Sequence, residues 1–528
     1  MSSQPAVRFT RALWASAVCT AFAGLSACGG GGGGSSSSPP APSWTAGAFQ
    51  PSSHYVAQCQ APRSGKDPIT GMAYPDTQGT TLDENNWLRS WSNELYLWYS
   101  EVPDQDPGSF STTAAYFDVL KTPATTSTGN PKDRFHFTYP TSQWEQMSQS
   151  GVDIGYGLTW AIIAGAPPRQ VYASVVWPGA AAATAGVVRG DEVVSIDGVD
   201  MINSNDSASI NTLNAGLSPS SAGESHTFVF QAPGTGTLST VTLTAAAVTE
   251  TPVPVVTTLS TATGPVGYIL FNDHIATSEQ ELINAITQLQ AANVVDLVLD
   301  LRYNGGGYLD IASELAYMIA GPVPTAGKAF DQQTFNAKYT STNPVTGEPL
   351  TPTPFHTTSQ GFSGPSGVNL PYLGLSRVFV LSGPGTCSAS EAVINGLNGV
   401  NVQVIQIGQT TCGKPYGFYP QDNCGTTYFS IEFQGNNAQG FGAYSDGFSP
   451  QNSVTLTSAV LPGCSVADDF SHNLGDPNEA RLNAALGYRF GGASSCPSPP
   501  AMSTAPRPGA SSLSVHLAPW RENRIMRP

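Results

Sequence analysis

Apolar residues change their spacing twice along this 528-residue chain, and each change marks a boundary. Between Asp83 and Tyr99, the residues Trp87, Leu88, Trp91, Leu95, Tyr96, Trp98 and Tyr99 fall largely at helical spacing. That predicts a helix whose aromatic stripe packs into a core. Thr112–Leu120 predicts a second short helix and Asp133–Tyr139 a strand, so residues 45–149 read as a small amino-terminal helical domain. From 150 to 255 the pattern shortens to β-rich runs, Val171–Val176, Val193–Ile196, Thr227–Gln231 and Thr240–Ala245, separated by Gly, Pro, Asn and Ser.

From 256 to 496 strand and helix patterns alternate. Val266–Phe271 and Val294–Leu301 are almost continuously apolar, as strands buried on both faces require. Between them, Ser278–Glu281 has the spacing of a capping box, and the helix it opens puts Leu282, Ile283, Ile286 and Leu289 on one face. Helix Leu309–Ile319, strand Arg377–Leu381, helix Ser388–Leu397 and strand Val402–Ile407 complete an α/β domain with a substantially parallel sheet. A Pro/Thr/Ser-rich insertion, 321–373, interrupts it as a cover for the cleft or a mobile loop, and a short helix at Pro477–Leu486 closes its core. The tail, 497–528, is Pro/Ser/Ala-rich with four arginines against one glutamate and reads as disordered. The expectation is a multidomain α/β protein.

A net charge of −16 with only 11% charged residues argues against a nucleic-acid partner, which needs clustered Lys and Arg. At the amino terminus, Arg8 and Arg11 precede an apolar run too short to span a bilayer, the pattern of an export signal over 1–27. The run ends in Leu25-Ser-Ala-Cys28, which resembles the lipobox of bacterial lipoproteins. That resemblance implies cleavage before Cys28, lipidation of Cys28 and a membrane anchor. The alternative is an ordinary signal peptide. A Gly/Ser/Pro tether, 28–44, follows. Gly29 is not an aspartate retention signal, which points to the outer membrane facing the periplasm.

With Cys19 removed and Cys28 lipidated, six cysteines remain, an even number in an exported chain and so a disulfide framework. Cys412–Cys424 and Cys464–Cys496 are the expected pairs. A metal site is the rival reading, but the Cys and His spacings fit none, and no cofactor is expected.

The chemistry concentrates in Gly383-Pro-Gly-Thr-Cys-Ser-Ala-Ser-Glu391 and in Lys414, one of only six lysines. A serine at a helix start and a lysine after the next strand can meet at one sheet edge. Ser388 is the candidate nucleophile, although such a serine is most often a cap. Lys414, flanked by Pro415, Tyr416, Phe418 and Tyr419, is the candidate base, because desolvation makes an amine neutral. The Ala389 N–H and an N–H of Gly306 or Gly307 are candidate oxyanion donors, unless Gly305–Gly307 is a simple tight turn. His274, at the end of a core strand, is the rival base.

Asp300-Leu-Arg-Tyr-Asn-Gly-Gly-Gly307, Thr386-Cys-Ser-Ala-Ser-Glu391 and Gly408–Lys414, in this order, resemble the carboxyl-terminal processing (tail-specific) serine peptidases. The resemblance implies a crotonase-like catalytic domain and a Ser388–Lys414 dyad. It also implies cleavage of proteins or peptides near a free carboxyl terminus. Two departures stand out. Phe418 occupies the place of the family's orienting glutamine, with Gln421 nearby, and the serine–lysine spacing is one residue longer. Ile154–Leu158, Pro178–Ala182 and Gly190–Gly198 resemble a PDZ domain. There Gly155, Tyr156, Gly157 and Leu158 would form a loop binding a peptide carboxylate. The rival reading is a β-rich packing domain with no ligand. A different class altogether is a lipid-anchored peptide-binding protein with an inactive hydrolase domain.

Overall fold

A computed structural model describes residues 44–68, 71–500, 515 and 524–526. The expected signal peptide, the lipidation site Cys28 and nearly all of the tether lie outside the described residues, as does most of the tail.

The organising element is a six-stranded sheet of Val255–Leu259 (β1), Val266–Leu270 (β2), Asp296–Asp300 (β3), Arg377–Ser382 (β4), Gln403–Gly408 (β5) and Gly463–Ser465 (β6). The strands lie in chain order. β1 is antiparallel to β2, and every later neighbour is parallel. Helices Ser278–Ala291 (α1), Leu309–Ala320 (α2) and Ala389–Gly399 (α3) are the crossovers. Their Leu282, Ile286, Leu315, Ile319, Val393 and Leu397 pack on one face with Ile269, Leu297, Leu299, Val378 and Val380. The alternate residues, Tyr268, Val298, Phe379, Leu381 and Ile405, meet Leu482 and Ala485 of Ala480–Gly491 (α4) on the other. Burial on both faces is why these strands read as unbroken apolar runs.

Three local expectations change. α1 begins after Thr277 without a side-chain cap: Ser278 Oγ donates to the Ile275 carbonyl and Glu281 accepts from the Val253 N–H, so Ser278–Glu281 is not a capping box. The insertion is anchored. Ala329–Phe335 pairs with Phe433–Asn436, and the Glu279 carboxylate accepts backbone N–H groups from Gln360, Gly361, Ser363 and Gly364. The tail also departs from disorder where it is described: Arg524–Met526 is a strand beside Gly306–Tyr308, whose edge leaves backbone groups to be paired.

The amino-terminal segment is helical at Thr81–Leu95 and Thr141–Ser150, but it shares the main core. Phe135, Phe137, Trp144 and Met147 belong to the same cluster as the sheet, and Phe137–Pro140 pairs with Thr426–Phe429. A disulfide, Cys59–Cys424, closes the junction. Cys464–Cys496 forms as expected. Cys412 does not pair with Cys424: the hairpin Gln421–Phe429 carries Cys424 to the amino-terminal segment, and Cys412 joins Cys387 instead. The β-rich segment forms its own sheet, in the order 238–244, 225–231, 192–196, 170–176, 158–164, around an apolar cluster that includes Leu158, Trp160, Ile196 and Phe228.

A buried ion network connects the two sheets. The fully buried Arg302 donates to Asp300 at 2.9 Å, to Asp468 at 2.8 Å and to both Glu479 oxygens at 2.7 and 2.9 Å. Arg189, from the β-rich segment, donates to Tyr303 Oη at 2.8 Å and to Asp468 at 3.2 Å. Removing one partner of such a network strands the others in low dielectric. Arg302→Met is therefore expected to destabilise the fold by about 3–5 kcal/mol, read from the urea midpoint; an unchanged midpoint would show that the acids find other partners.

Candidate active site

Strand register determines what can meet. Leu270 pairs with Asp300, Asp300 with Leu381, and Leu381 with Ile407, so β2, β3, β4 and β5 end level. The segments that leave them, Asn272–Ile275, Leu301–Tyr308, Gly383–Ser388 and Gln409–Lys414, share the carboxyl edge, where open α/β sheets place their sites.

Cross-bonds tie these segments together. Thr386 Oγ1 donates to the Leu301 carbonyl at 2.8 Å, and the Cys387 N–H donates to the Asn304 carbonyl at 3.1 Å. The Cys412 N–H donates to the Thr386 carbonyl at 3.0 Å. The Cys387–Cys412 disulfide adds a covalent link between the residue before Ser388 and the loop carrying Lys414.

Ser388 sits on a sharp strand-to-helix turn with φ +64°, a conformation that non-glycine residues rarely adopt and that marks functional strain. Its hydroxyl is fully buried and has no hydrogen-bond partner among the described residues. Its N–H is held by Glu391 Oε2 at 3.0 Å. Ala389 opens α3, and the N–H at that position has no partner within the helix.

The glycine run faces this turn. The His274 N–H donates to the Gly306 carbonyl and the Tyr308 N–H to the His274 carbonyl, at 3.0 and 2.8 Å. That bridge leaves the N–H of Gly307 pointing away from His274. Gly306 is the poorer donor of the two expected, because its N–H already bonds Asn304 Oδ1 at 2.9 Å. Gly307 must be glycine: φ is +140°, and a Cβ would lie 2.3 Å from the His274 carbonyl oxygen.

Lys414 is fully buried. Its Nζ lies 4.1 Å from the Phe418 ring centre and 5.1 Å from that of Phe135. Desolvation drives the amine well below its ordinary value, and the nearby charges of Asp133 and Glu391 only partly oppose this. Phe418, where a glutamine is expected to orient the lysine, instead forms part of its apolar wall. Gln421 makes a long bond to the Asp422 carbonyl.

Glu391 is the residue the sequence did not mark, although it stands in the serine motif. Its buried carboxylate accepts from the Ser388 N–H, Thr411 Oγ1 at 2.5 Å, the Gly413 N–H at 2.8 Å and the Lys414 N–H at 2.7 Å. Asp133 and Phe135 come from the amino-terminal segment, about 280 residues away, and no local pattern could reveal them.

His274 is fully buried, and desolvation lowers it to about 3. Its Nδ1 meets Asn304 Oδ1 at 3.0 Å, and neither its Nε2 nor Ser388 Oγ has a partner among the described residues, so the two are not bonded. The ring holds Asn304, which in turn holds the glycine turn. In the β-rich segment, Gly155 ends a short ribbon strand, Tyr156 and Leu158 are buried, and Gly157 has φ +76°. The Gly157 and Tyr156 carbonyls accept from Trp177 and Ala182, which fixes the loop.

Replacing Glu391 by Gln keeps its shape but halves its acceptors. Two of the four donors then lose their acceptor and are left unsatisfied in the interior, at about 1–3 kcal/mol each, and the other two keep only a neutral one. The expected result is a drop in thermal midpoint with a larger loss in turnover than in substrate binding; unchanged turnover would exclude a positioning role.

Comparison with known proteins fits this geometry. Residues 265–418 match the model of Peptidase family S41, and residues 83–139 match the Peptidase S41 N-terminal domain. A carboxyl-terminal-processing protease of Picosynechococcus sp. is 28% identical over 244 residues, 45% of this chain and 49% of that protein. The chain thus spans about half the length of this curated relative. Among solved structures, an S41 protease from Bacteroides fragilis NCTC 9343 superposes with a TM-score of 0.56 at 23% identity, covering 79% of this chain and 98% of that one, which supports the fold. The photosystem II D1 C-terminal processing protease gives a TM-score of 0.42 at 19% identity, over 73% of this chain and 94% of that one. The two matched models lie in chain order and between them contain Asp133, Phe135, the glycine turn, Ser388 and Lys414, so the chain carries a segment similar to Peptidase family S41 preceded by one similar to the Peptidase S41 N-terminal domain.

Proposed function

We propose that the chain is an exported serine endopeptidase that cleaves proteins or peptides near a free carboxyl terminus. Ser388 is the nucleophile, Lys414 the general base, and the Ala389 and Gly307 N–H groups receive the oxyanion. The β-rich domain, on its resemblance to PDZ domains, presents the substrate's carboxyl end through Gly155–Leu158, and Cys28 carries the lipid anchor.

The observation that carries this reading is the fully buried side chain of Lys414, whose backbone N–H is held by Glu391 together with that of Ser388, a residue whose hydroxyl has no partner among the described residues. A neutral amine accepts the hydroxyl proton as Oγ attacks the scissile carbonyl. The resulting alkoxide-like oxygen of the substrate is met by backbone donors at a helix start and a strand edge. The lysinium then returns the proton to the leaving amine, and water repeats the sequence on the acyl-enzyme. Lys414 is favoured over His274 because burial lowers the imidazole to about 3, which makes it a poor acceptor for a serine proton.

Ser388→Ala should abolish cleavage of an unfolded protein substrate, and persistence of cleavage would remove the nucleophile. Lys414→Met should also lose turnover, whereas His274→Asn, whose amide can still donate to Asn304, should remain within about tenfold of the native rate. The opposite pattern would assign the base to His274.

The pH dependence follows from the depressed lysine. Only the neutral amine is a base, so kcat/KM should rise with pH on a limb well below the ordinary value of 10.5. Between that limb and 10.5 the unfolded chain binds the extra proton, so stability rises with pH across the window, by about 1.4 kcal/mol per unit from this group. Lys414→Met should therefore raise the urea midpoint at pH 7 while eliminating turnover. A lowered midpoint would show that the lysine stabilises the fold and is not held neutral.

A further inference from the structure

The side of Gly307 turned away from His274 is the side on which an oxyanion would sit, and it is already paired. Arg524–Met526 lies parallel to Gly306–Tyr308, with Gly306 opposite Arg524, Gly307 opposite Ile525 and Tyr308 opposite Met526. The same strand runs alongside Tyr416–Gly417, which begins two residues after Lys414. A segment of the chain's own tail thus lies between the glycine strand and the lysine loop. Ser388 and Lys414 are both fully buried with that strand in place.

A second contact holds the same tail elsewhere. Val515 is fully buried, its N–H donates to the Gly165 carbonyl at 3.0 Å, and it joins the apolar cluster of Leu158, Trp160 and Phe228. Gly165 immediately follows Leu158–Ala164, the edge strand of that sheet among the described residues. Edge strands are where extended peptides add. Charge agrees with the docking: beyond Cys496 the chain carries Arg507, Arg521, Arg524 and Arg527 against Glu522, while the whole chain is −16.

We propose that Arg524–Met526, with Val515 as a second anchor, is an intramolecular occupant of the peptide cleft, a tethered competitive inhibitor that a substrate must displace. The proposal rests on the peptidase reading for its consequence, though not for the docking itself. A tether supplies the occupant at an effective concentration on the order of 1 mM, so even a segment that binds with a Kd of about 100 μM would hold the cleft closed roughly ten to one. Because the tail is cationic and the body acidic, the closure should weaken with salt, as the Debye length falls from about 10 Å at 0.1 M to about 3 Å at 1 M.

The test separates docking from catalysis. Ser388→Ala is introduced into the full chain and into a chain ending at Pro500, which retains Cys496, so neither consumes peptide. A fluorescein-labelled synthetic peptide of residues 511–528 is titrated against both and followed by anisotropy. Saturable binding to the shortened chain, about tenfold weaker in the full chain and recovered there by Val515→Asp, is the expected result. Hydrogen exchange over residues 305–309 should be slower in the full chain than in the shortened one. Equal binding to both chains, or binding to neither, overturns the proposal. With Ser388 intact, a fluorophosphonate probe should label the shortened chain about tenfold faster. Labelling of neither would sink the peptidase reading while the anisotropy result still decided the docking.

Discussion

Four donors converge on the Glu391 carboxylate, and they come from both halves of the site. Ser388 contributes its N–H from the turn after β4, while Thr411, Gly413 and Lys414 contribute theirs from the loop after β5. A carboxylate has two oxygens and can satisfy such a set only in one relative placement, so the spacing of Ser388 and Lys414 follows from it. The Cys387–Cys412 disulfide bridges the same two segments on neighbouring residues. Level strand ends bring the segments to one edge, and Glu391 with the disulfide then fixes them against each other.

That arrangement has a thermodynamic cost. A fully buried lysine, a serine at positive φ and a buried hydroxyl with no partner among the described residues each oppose folding. What offsets them is a sheet buried on both faces, a main core that draws Phe135, Phe137 and Trp144 from the amino-terminal segment, and the Arg302 network joining the two sheets. The amino-terminal segment therefore reaches the candidate site. Phe135 walls the lysine, and the charge of Asp133 resists, without overcoming, its desolvation.

Much of this is legible in the sequence for physical reasons. The runs at 266–271, 294–301, 377–381 and 402–407 are apolar because both sides of each strand are covered, and every one is a strand of the main sheet. Ser388 stands out because a glycine turn carries the chain from a core strand straight to a helix start at that residue. Other features depend on distant partners and leave no local trace. Cys412 lies nearer in sequence to Cys424 than to Cys387, yet the fold delivers it to Cys387. Glu279 reads as part of a cap, whereas it anchors the insertion through backbone groups about 80 residues away. Phe418 reads as a missing glutamine and proves to be the wall of the amine.

The proposed Ser388–Lys414 chemistry requires Lys414 to be a neutral amine in the resting protein. Titration of the Lys414 Nζ reads that charge without intermediaries, by NMR of the full chain with ¹⁵N-labelled lysine and with the signal assigned by its loss in Lys414→Met. The expected result is an uncharged amine at pH 7 that gains its proton only at lower pH. An ammonium signal that persists at pH 7 and titrates near 10.5 would contradict it.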